Sequence, residues 1–233
     1  MESARGHPDY LVLRYAVRET LGLVGMAVAL FWSAGRLDWW GAWAVLAVMA
    51  GWIIATAIVI FRINPGLLAE RLGPRRGAKR WDTAIMSALG LMQLVRYIIA
   101  GLDQRYGWTG GFPVTAQICA FILCGLGYAL FVWATASNAY FSQIVRIQTE
   151  RGHKVVSDGP YRYVRHPAYV GGILYELAVP ILLDSWAALT FSLVCALLLI
   201  LRTALEDRTL QTELAGYAEY STNVRYRLVP GVW

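Results

Sequence analysis

The chain has 233 residues, of which 58% are hydrophobic and only 15% charged, with a formal net charge of +6. Soluble domains carry about 25% charged residues, so this composition, with a mean hydropathy of +0.47, excludes an ordinary soluble enzyme. Eighteen of the 21 Lys and Arg fall in alternate segments between apolar blocks, so the positive balance signals topology and affinity for anionic membrane lipids, with no nucleic-acid partner.

A spanning helix needs roughly 20 mostly apolar residues. Six stretches qualify: 15–34, 39–61, 83–101, 114–136, 168–183 and 186–201. The fifth is short, and without it the count is five. The expected fold is an all-α integral membrane protein, one polytopic domain over 1–233 with no internal repeat.

Arg5, Arg14 and Arg18 precede or open the first span. The apolar run 21–30 behind them resembles a signal peptide, but its cleavage would spoil the charge alternation, so it is expected to stay as a span. Trp39, Trp40, Trp81 and Trp108 lie at span ends, where indoles favour the headgroup layer. Asn64-Pro65-Gly66 reads as a helix stop and turn. The basic run from Arg71 to Arg80 reads as a solvated face. Arg96 and Glu176 sit near mid-span in the third and fifth blocks, where an ionisable side chain either pairs inside the bundle or lines a cavity. Cys119, Cys124 and Cys195 lie within spans without metal-ligand spacing, so neither a metal nor a disulfide is expected. Gly125-Leu126-Gly127 allows close helix approach in the fourth span.

Residues 152–169 break this pattern with a basic, aromatic, proline-interrupted strip. Asp184-Ser185 leaves room only for a tight turn, so the last two spans form a helical hairpin. That hairpin returns the chain to the strip at Arg202 and Glu206, four apart on one helix face. The bland alternative there is an i,i+4 ion pair of a few tenths of a kcal/mol. With six spans, the charge bias puts both termini and the strip in the cytoplasm.

The strings Gly159-Pro-Tyr-Arg-Tyr-Val-Arg-His-Pro-Ala-Tyr-Val-Gly171, Arg202…Glu206-Asp207 and Gly216-Tyr217…Tyr220…Val224…Pro230 resemble the isoprenylcysteine carboxyl methyltransferase family, whose wider relatives are phospholipid N-methyltransferases. The resemblance is strong over 138–233, the expected catalytic core, and weaker at Asn64-Pro-Gly-Leu-Leu68 and Trp81-Asp82. It implies an S-adenosyl-L-methionine enzyme with a cofactor pocket at the cytoplasmic membrane face. By position the cofactor contacts are His153, Lys154, Val155, Val156, Tyr161, His166, Pro167, Ala168, Tyr169 and Glu206, and Arg202 is the substrate-side arginine. Arg146 stands where the family has glutamine, and Asp207 where it has a second glutamate. Gly125-Leu-Gly127 also resembles a Gly-x-Gly of the phospholipid enzymes.

The residue types suit that chemistry. Glu206 supplies an acceptor for the cofactor's ammonium. Pro160 and Pro167 interrupt helix and leave backbone groups nearby for the cofactor. Tyr161, Tyr163 and Tyr169 offer flat faces for adenine. Arg202 holds a carboxylate acceptor bidentately, and such a nucleophile needs no base at neutral pH. An amine acceptor would need one, with His153 and His166 as candidates. The expected activity is methyl transfer to a lipophilic or lipidated acceptor entering from the bilayer. Alternatives are a phospholipid amine N-methyltransferase and an NADPH-dependent sterol-type reductase, which shares an Arg-His-Pro string. Ala168, where the reductases have Asn, and the Arg202-x-x-x-Glu206-Asp207 spacing argue against the reductase.

Overall fold

A computed structural model describes residues 8–72 and 77–233; Arg5, Arg75 and Arg76 lie outside the described residues. Among the described residues eight α-helices follow in order: α1 (Pro8–Ala34), α2 (Trp40–Ile58), α3 (Gly66–Leu72), α4 (Arg80–Tyr106), α5 (Val114–Ser137), α6 (Pro167–Leu182), α7 (Trp186–Glu213) and α8 (Tyr217–Asn223). α2 runs on through a π-helical turn at Val59–Ile63 and stops at Asn64-Pro65, as the sequence predicts. No strand occurs among the described residues.

α1, α2, α4, α5 and α7 are long and apolar enough to cross a membrane. The fifth expected span, α6, has 16 residues, about 24 Å at 1.5 Å per residue and less than the ~30 Å hydrocarbon core. It is instead enclosed between α5 and α7. The side chains facing outward from the bundle, such as Leu21, Val28, Trp32, Ile122 and Leu197, are exposed and apolar, as lipid contact requires.

The α6–α7 hairpin turns where expected. Asp184 adopts a left-handed backbone (φ 56°), and its Oδ1 accepts from the N–H groups of Gly111 and Phe112 at 3.0 and 2.7 Å. Ser185 caps α7 by accepting from Ala188 N–H at 3.0 Å and donates to Asp103 Oδ2 at 2.5 Å. The turn is thereby tied to the end of α4 and the loop after it. α7 then runs unbroken through 28 residues, about 42 Å, so its last turns extend beyond a bilayer core and carry Arg202 and Glu206 with them.

α5 and α6 touch through glycine. A Cβ on Gly127 would lie 2.6 Å from the Gly171 carbonyl oxygen, whereas one on Gly125 would meet nothing within 4 Å. Close helix approach therefore accounts for Gly127. Gly127→Ala should cost about 1–3 kcal/mol by overpacking and lower the melting temperature in detergent, while Gly125→Ala should leave it unchanged; equal effects would contradict this assignment.

Arg96 and Glu176 pair through Arg96 Nη1, and both are buried. Arg96 Nη1 also donates to Ser192 Oγ at 3.3 Å, and its guanidinium lies 4.7 Å from the Tyr97 ring centroid, a cation–π contact that offsets part of its desolvation. Two expectations change here. Trp39 is 4% exposed and belongs to the core, while Trp40 and Trp108 are exposed as an interfacial role requires. Arg71 is buried rather than solvated, and its backbone carbonyl accepts from Arg18 Nη1 at 2.9 Å.

Candidate active site

One cavity of about 490 Å³ opens among α2, α4, α5, α6, α7 and the 138–156 segment. That volume falls within the 300–1,000 Å³ of small-molecule sites. The strip folds over its mouth because it is too polar and too broken by proline to continue a span. Pro160 lies in a 3₁₀ turn, Gly159–Arg162, and Pro167 occupies the first position of α6, where its missing N–H costs nothing.

His153, Lys154, Val155, Val156, Tyr161, His166, Ala168, Tyr169, Arg202 and Glu206 all line this cavity; Pro167 does not. Tyr163 is 66% exposed and lies outside it, so only two of the three expected tyrosine faces are present. Glu206 is half-buried, and its Oε2 accepts from the Tyr169 hydroxyl. Its Oε1 makes no hydrogen bond to a described residue. The peptide groups of Lys154, Val155 and Val156 likewise make none among the described residues.

The backbone groups near the prolines behave differently from expectation. Arg165 N–H donates to the Tyr226 carbonyl at 2.9 Å and His166 N–H to that of Arg227 at 3.0 Å. The C-terminal tail has taken them, so the open peptides lie earlier, at 154–156. The bulky charged side chains of the motif serve the same docking. Arg165 Nε and Nη2 donate to the two oxygens of Asp207 at 2.7 and 3.0 Å, and Arg227 Nε adds a bond at 2.9 Å. His166 Nε2 lies 3.1 Å from Asp207 Oδ1.

Neither histidine stands ready as a base. The ring of His166 is buried against Asp207 and the Tyr217 hydroxyl. His153 accepts from Gln148 N–H through Nδ1 at 3.3 Å, which leaves Nε2 as an N–H donor in the neutral ring. Burial, then the charges of Arg151 and Arg146, push His153 below its ordinary value, so it stays neutral at pH 7.

Arg202 does not pair with Glu206. Its Nε donates to Asp82 Oδ1 at 2.6 Å and its Nη2 to the Gln143 carbonyl at 2.9 Å. The side-on fork expected to grip a carboxylate is thus already occupied, and Nη1 is the edge without a bond to a described residue. Asp82 itself is fully buried, with Oδ2 accepting from Val145 N–H at 2.8 Å. It joins the start of α4, the strip's approach and α7. Sequence reasoning gave Asp82 no role, although an acid in the first turn of an apolar helix was a signal. Arg146 also lines the cavity, but is engaged by Glu70 at 3.0 and 2.6 Å and by Glu150.

Residues 118–212 match the family model described as "Isoprenylcysteine carboxyl methyltransferase (ICMT) family". The protein-S-isoprenylcysteine O-methyltransferase of Schizosaccharomyces pombe is 46% identical over 55 residues, 23% of each chain, so this chain aligns with under a quarter of that relative's length. Protein-S-isoprenylcysteine O-methyltransferase B of Arabidopsis thaliana is 26% identical over 60% of this chain and 70% of its own. The Delta(14)-sterol reductase of Mus musculus is 29% identical over 53% of this chain and 32% of its own. A solved eukaryotic intramembrane Ras methyltransferase is similar with a TM-score of 0.47 and 17% identity, covering 93% of this chain and 86% of that one. The segment 118–212, which holds the strip, α6 and most of α5 and α7, is thus the part of this all-helical membrane protein that is similar to the isoprenylcysteine carboxyl methyltransferase family.

Proposed function

We propose that this protein is an integral-membrane methyltransferase that uses S-adenosyl-L-methionine to methylate a carboxylate on a lipophilic acceptor, as in isoprenylcysteine O-methylation. The observation that carries the reading is Glu206: a carboxylate oxygen left open at the polar mouth of an otherwise apolar cavity, beside three consecutive unpaired peptide groups. Open N–H donors and a carboxylate in one mouth suit a zwitterion. Bound there, the cofactor's sulfonium supplies an electrophilic methyl group.

The chain's own residues divide the remaining work. Glu206 accepts from the cofactor's ammonium, with Tyr169 orienting its carboxylate. The peptides of 154–156, with His153 Nε2–H and Lys154, supply donors to the cofactor's carboxylate and adenine. Tyr161, Ala168 and Val156 form the apolar wall, and Pro167 acts by starting α6. Arg202 presents Nη1 to the acceptor while Asp82 holds its other edge. Alignment and water exclusion then lower the barrier.

A carboxylate acceptor is favoured over an amine because it is already ionised at neutral pH, and both histidines are engaged otherwise. Although α6 is short, it runs from the mouth to the Asp184-Ser185 turn beside the far end of α4, so the chain still passes six times, and the charge bias of the loops supports a cytoplasmic mouth and cytoplasmic termini. Cysteine tags at either end should resist labelling from outside intact cells; labelling of either would break that topology. The core 138–233 works as part of the single domain, since α2 and α4 complete the cavity.

The likeness to a sterol reductase carries a second reading, in which the same strip holds NADPH. Calorimetric titration of the detergent-purified protein with S-adenosylhomocysteine and, in parallel, NADPH separates them. Saturable binding of S-adenosylhomocysteine alone is expected; binding of NADPH alone would replace the methyltransferase reading with the reductase one.

A further inference from the structure

The cavity does not end in hydrocarbon. Along α4 its wall is formed by Asp82, Met86, Leu89, Gln93 and Tyr97, a spacing that keeps one helix face turned toward it. Asp82 and Gln93 are eleven positions apart, about 16 Å along the helix axis. At that depth Gln93, Glu176 and the tyrosines Tyr97, Tyr128 and Tyr175 line the inner end; Tyr97 and Tyr175 bond each other through their hydroxyls at 3.0 Å.

These groups are held in place but not used up. Gln93 Nε2 donates to Glu176 Oε1 at 2.6 Å, and Glu176 Oε2 is taken by Arg96. The Gln93 carbonyl oxygen makes no hydrogen bond to a described residue. The Tyr128 hydroxyl donates to Met49 Sδ at 3.8 Å, a weak thioether acceptor, and lies near the Tyr175 hydroxyl, which is itself bonded to Tyr97 at 3.0 Å. The Tyr128 ring is stacked 5.1 Å from that of Trp52 and lies 4.3 Å from that of Tyr175, which fixes where its hydroxyl sits in the cavity wall. A plain hydrocarbon chain filling this end would strip water from an amide and a phenol and return no hydrogen bond, which is costly in an apolar medium.

We propose that the inner end of the cavity is a recognition site for an oxygen-bearing group, a hydroxyl or carbonyl, carried on the acceptor's hydrocarbon part about 16 Å from its reacting end. The proposal rests on the reading of a lipophilic acceptor and narrows it. The Arg96–Glu176 pair is the anchor: by taking one N–H of Gln93 it fixes the amide. A hydroxyl in this chamber donates to the Gln93 carbonyl and accepts from Tyr128; a carbonyl accepts from Tyr128 or from the second Gln93 N–H.

The test reads binding rather than turnover. A long-chain alkyl thioether of N-acetylcysteine and its analogue with a hydroxyl at the chain end are titrated separately into the detergent-purified full chain. The hydroxyl analogue is expected to bind about tenfold tighter, the scale of one well-made hydrogen bond plus an avoided desolvation. Gln93→Leu and, independently, Tyr128→Phe should each reduce that preference to about twofold or less without weakening the plain thioether. Tyr128→Phe removes one oxygen and leaves the Arg96–Glu176 pair untouched, so it remains informative if Gln93→Leu fails to fold. Equal or tighter binding of the plain thioether by the wild-type protein, or no binding of either, overturns the proposal. Loss of the methyltransferase reading would appear instead as absent S-adenosylhomocysteine binding in the same preparation, which does not alter the thioether comparison.

Discussion

Glu206→Ala is expected to weaken S-adenosylhomocysteine binding about 100-fold with little change in melting temperature. A hydrogen bond to a charged group contributes about 1.5–3 kcal/mol, and the partner left behind loses its compensation. Glu206 is half-buried and its one protein bond is to Tyr169, so the fold does not depend on it. Tyr169→Phe should cost less, about fivefold, because it removes the orienting hydroxyl and keeps the carboxylate. Calorimetry on the purified variants checks both. Unchanged affinity in Glu206→Ala would remove this carboxylate from the cofactor site and leave the mouth of the cavity without an acceptor for an ammonium.

Asp207→Ala should instead damage the fold. Its carboxylate is fully buried and accepts from Arg165, Arg227, the Tyr217 hydroxyl at 2.9 Å and Gln211 Nε2 at 2.9 Å, beside His166. Removing one side of a buried charge cluster costs about 3–5 kcal/mol, because two guanidiniums are left without a counter-charge. The contacts broken are those between α7, the motif and the tail. Besides a large fall in melting temperature, the variant should therefore show early tryptic cleavage within 214–233. A melting temperature and digestion pattern like those of the wild type would mean that the cluster contributes nothing net to stability.

The neighbouring acids thus do opposite jobs. Asp207 is one residue from Glu206, yet it points into the docked tail while Glu206 points into the cavity. On a helix, adjacent positions are turned about 100° apart, so a motif that contains both says nothing about which one meets the ligand. The same holds for Arg165 and His166, which look like binding groups in the string and act as struts for residues 224–227. Arg202 shows the converse. Its location on the face with Glu206 was legible, but its partner Asp82 is 120 positions away in sequence and is brought to it only by the contact of α4 with α7.

By itself the sequence determined the solvent of this protein, the places of its long apolar helices, the Asp184-Ser185 turn and the strip where polar chemistry gathers. These follow from local properties: hydropathy summed over a helix length, proline's fixed φ, and the cost of charge in hydrocarbon. Only the tertiary structure decided that the short α6 is enclosed between α5 and α7, that Trp39 is core and Tyr163 surface, and that the tail claims the backbone around the prolines. It also decided that the cavity reaches as far as Gln93 and Tyr128. Each of these depends on which groups meet across distant stretches of chain, where a buried donor or acceptor must find a partner and the nearest one in space is remote in sequence.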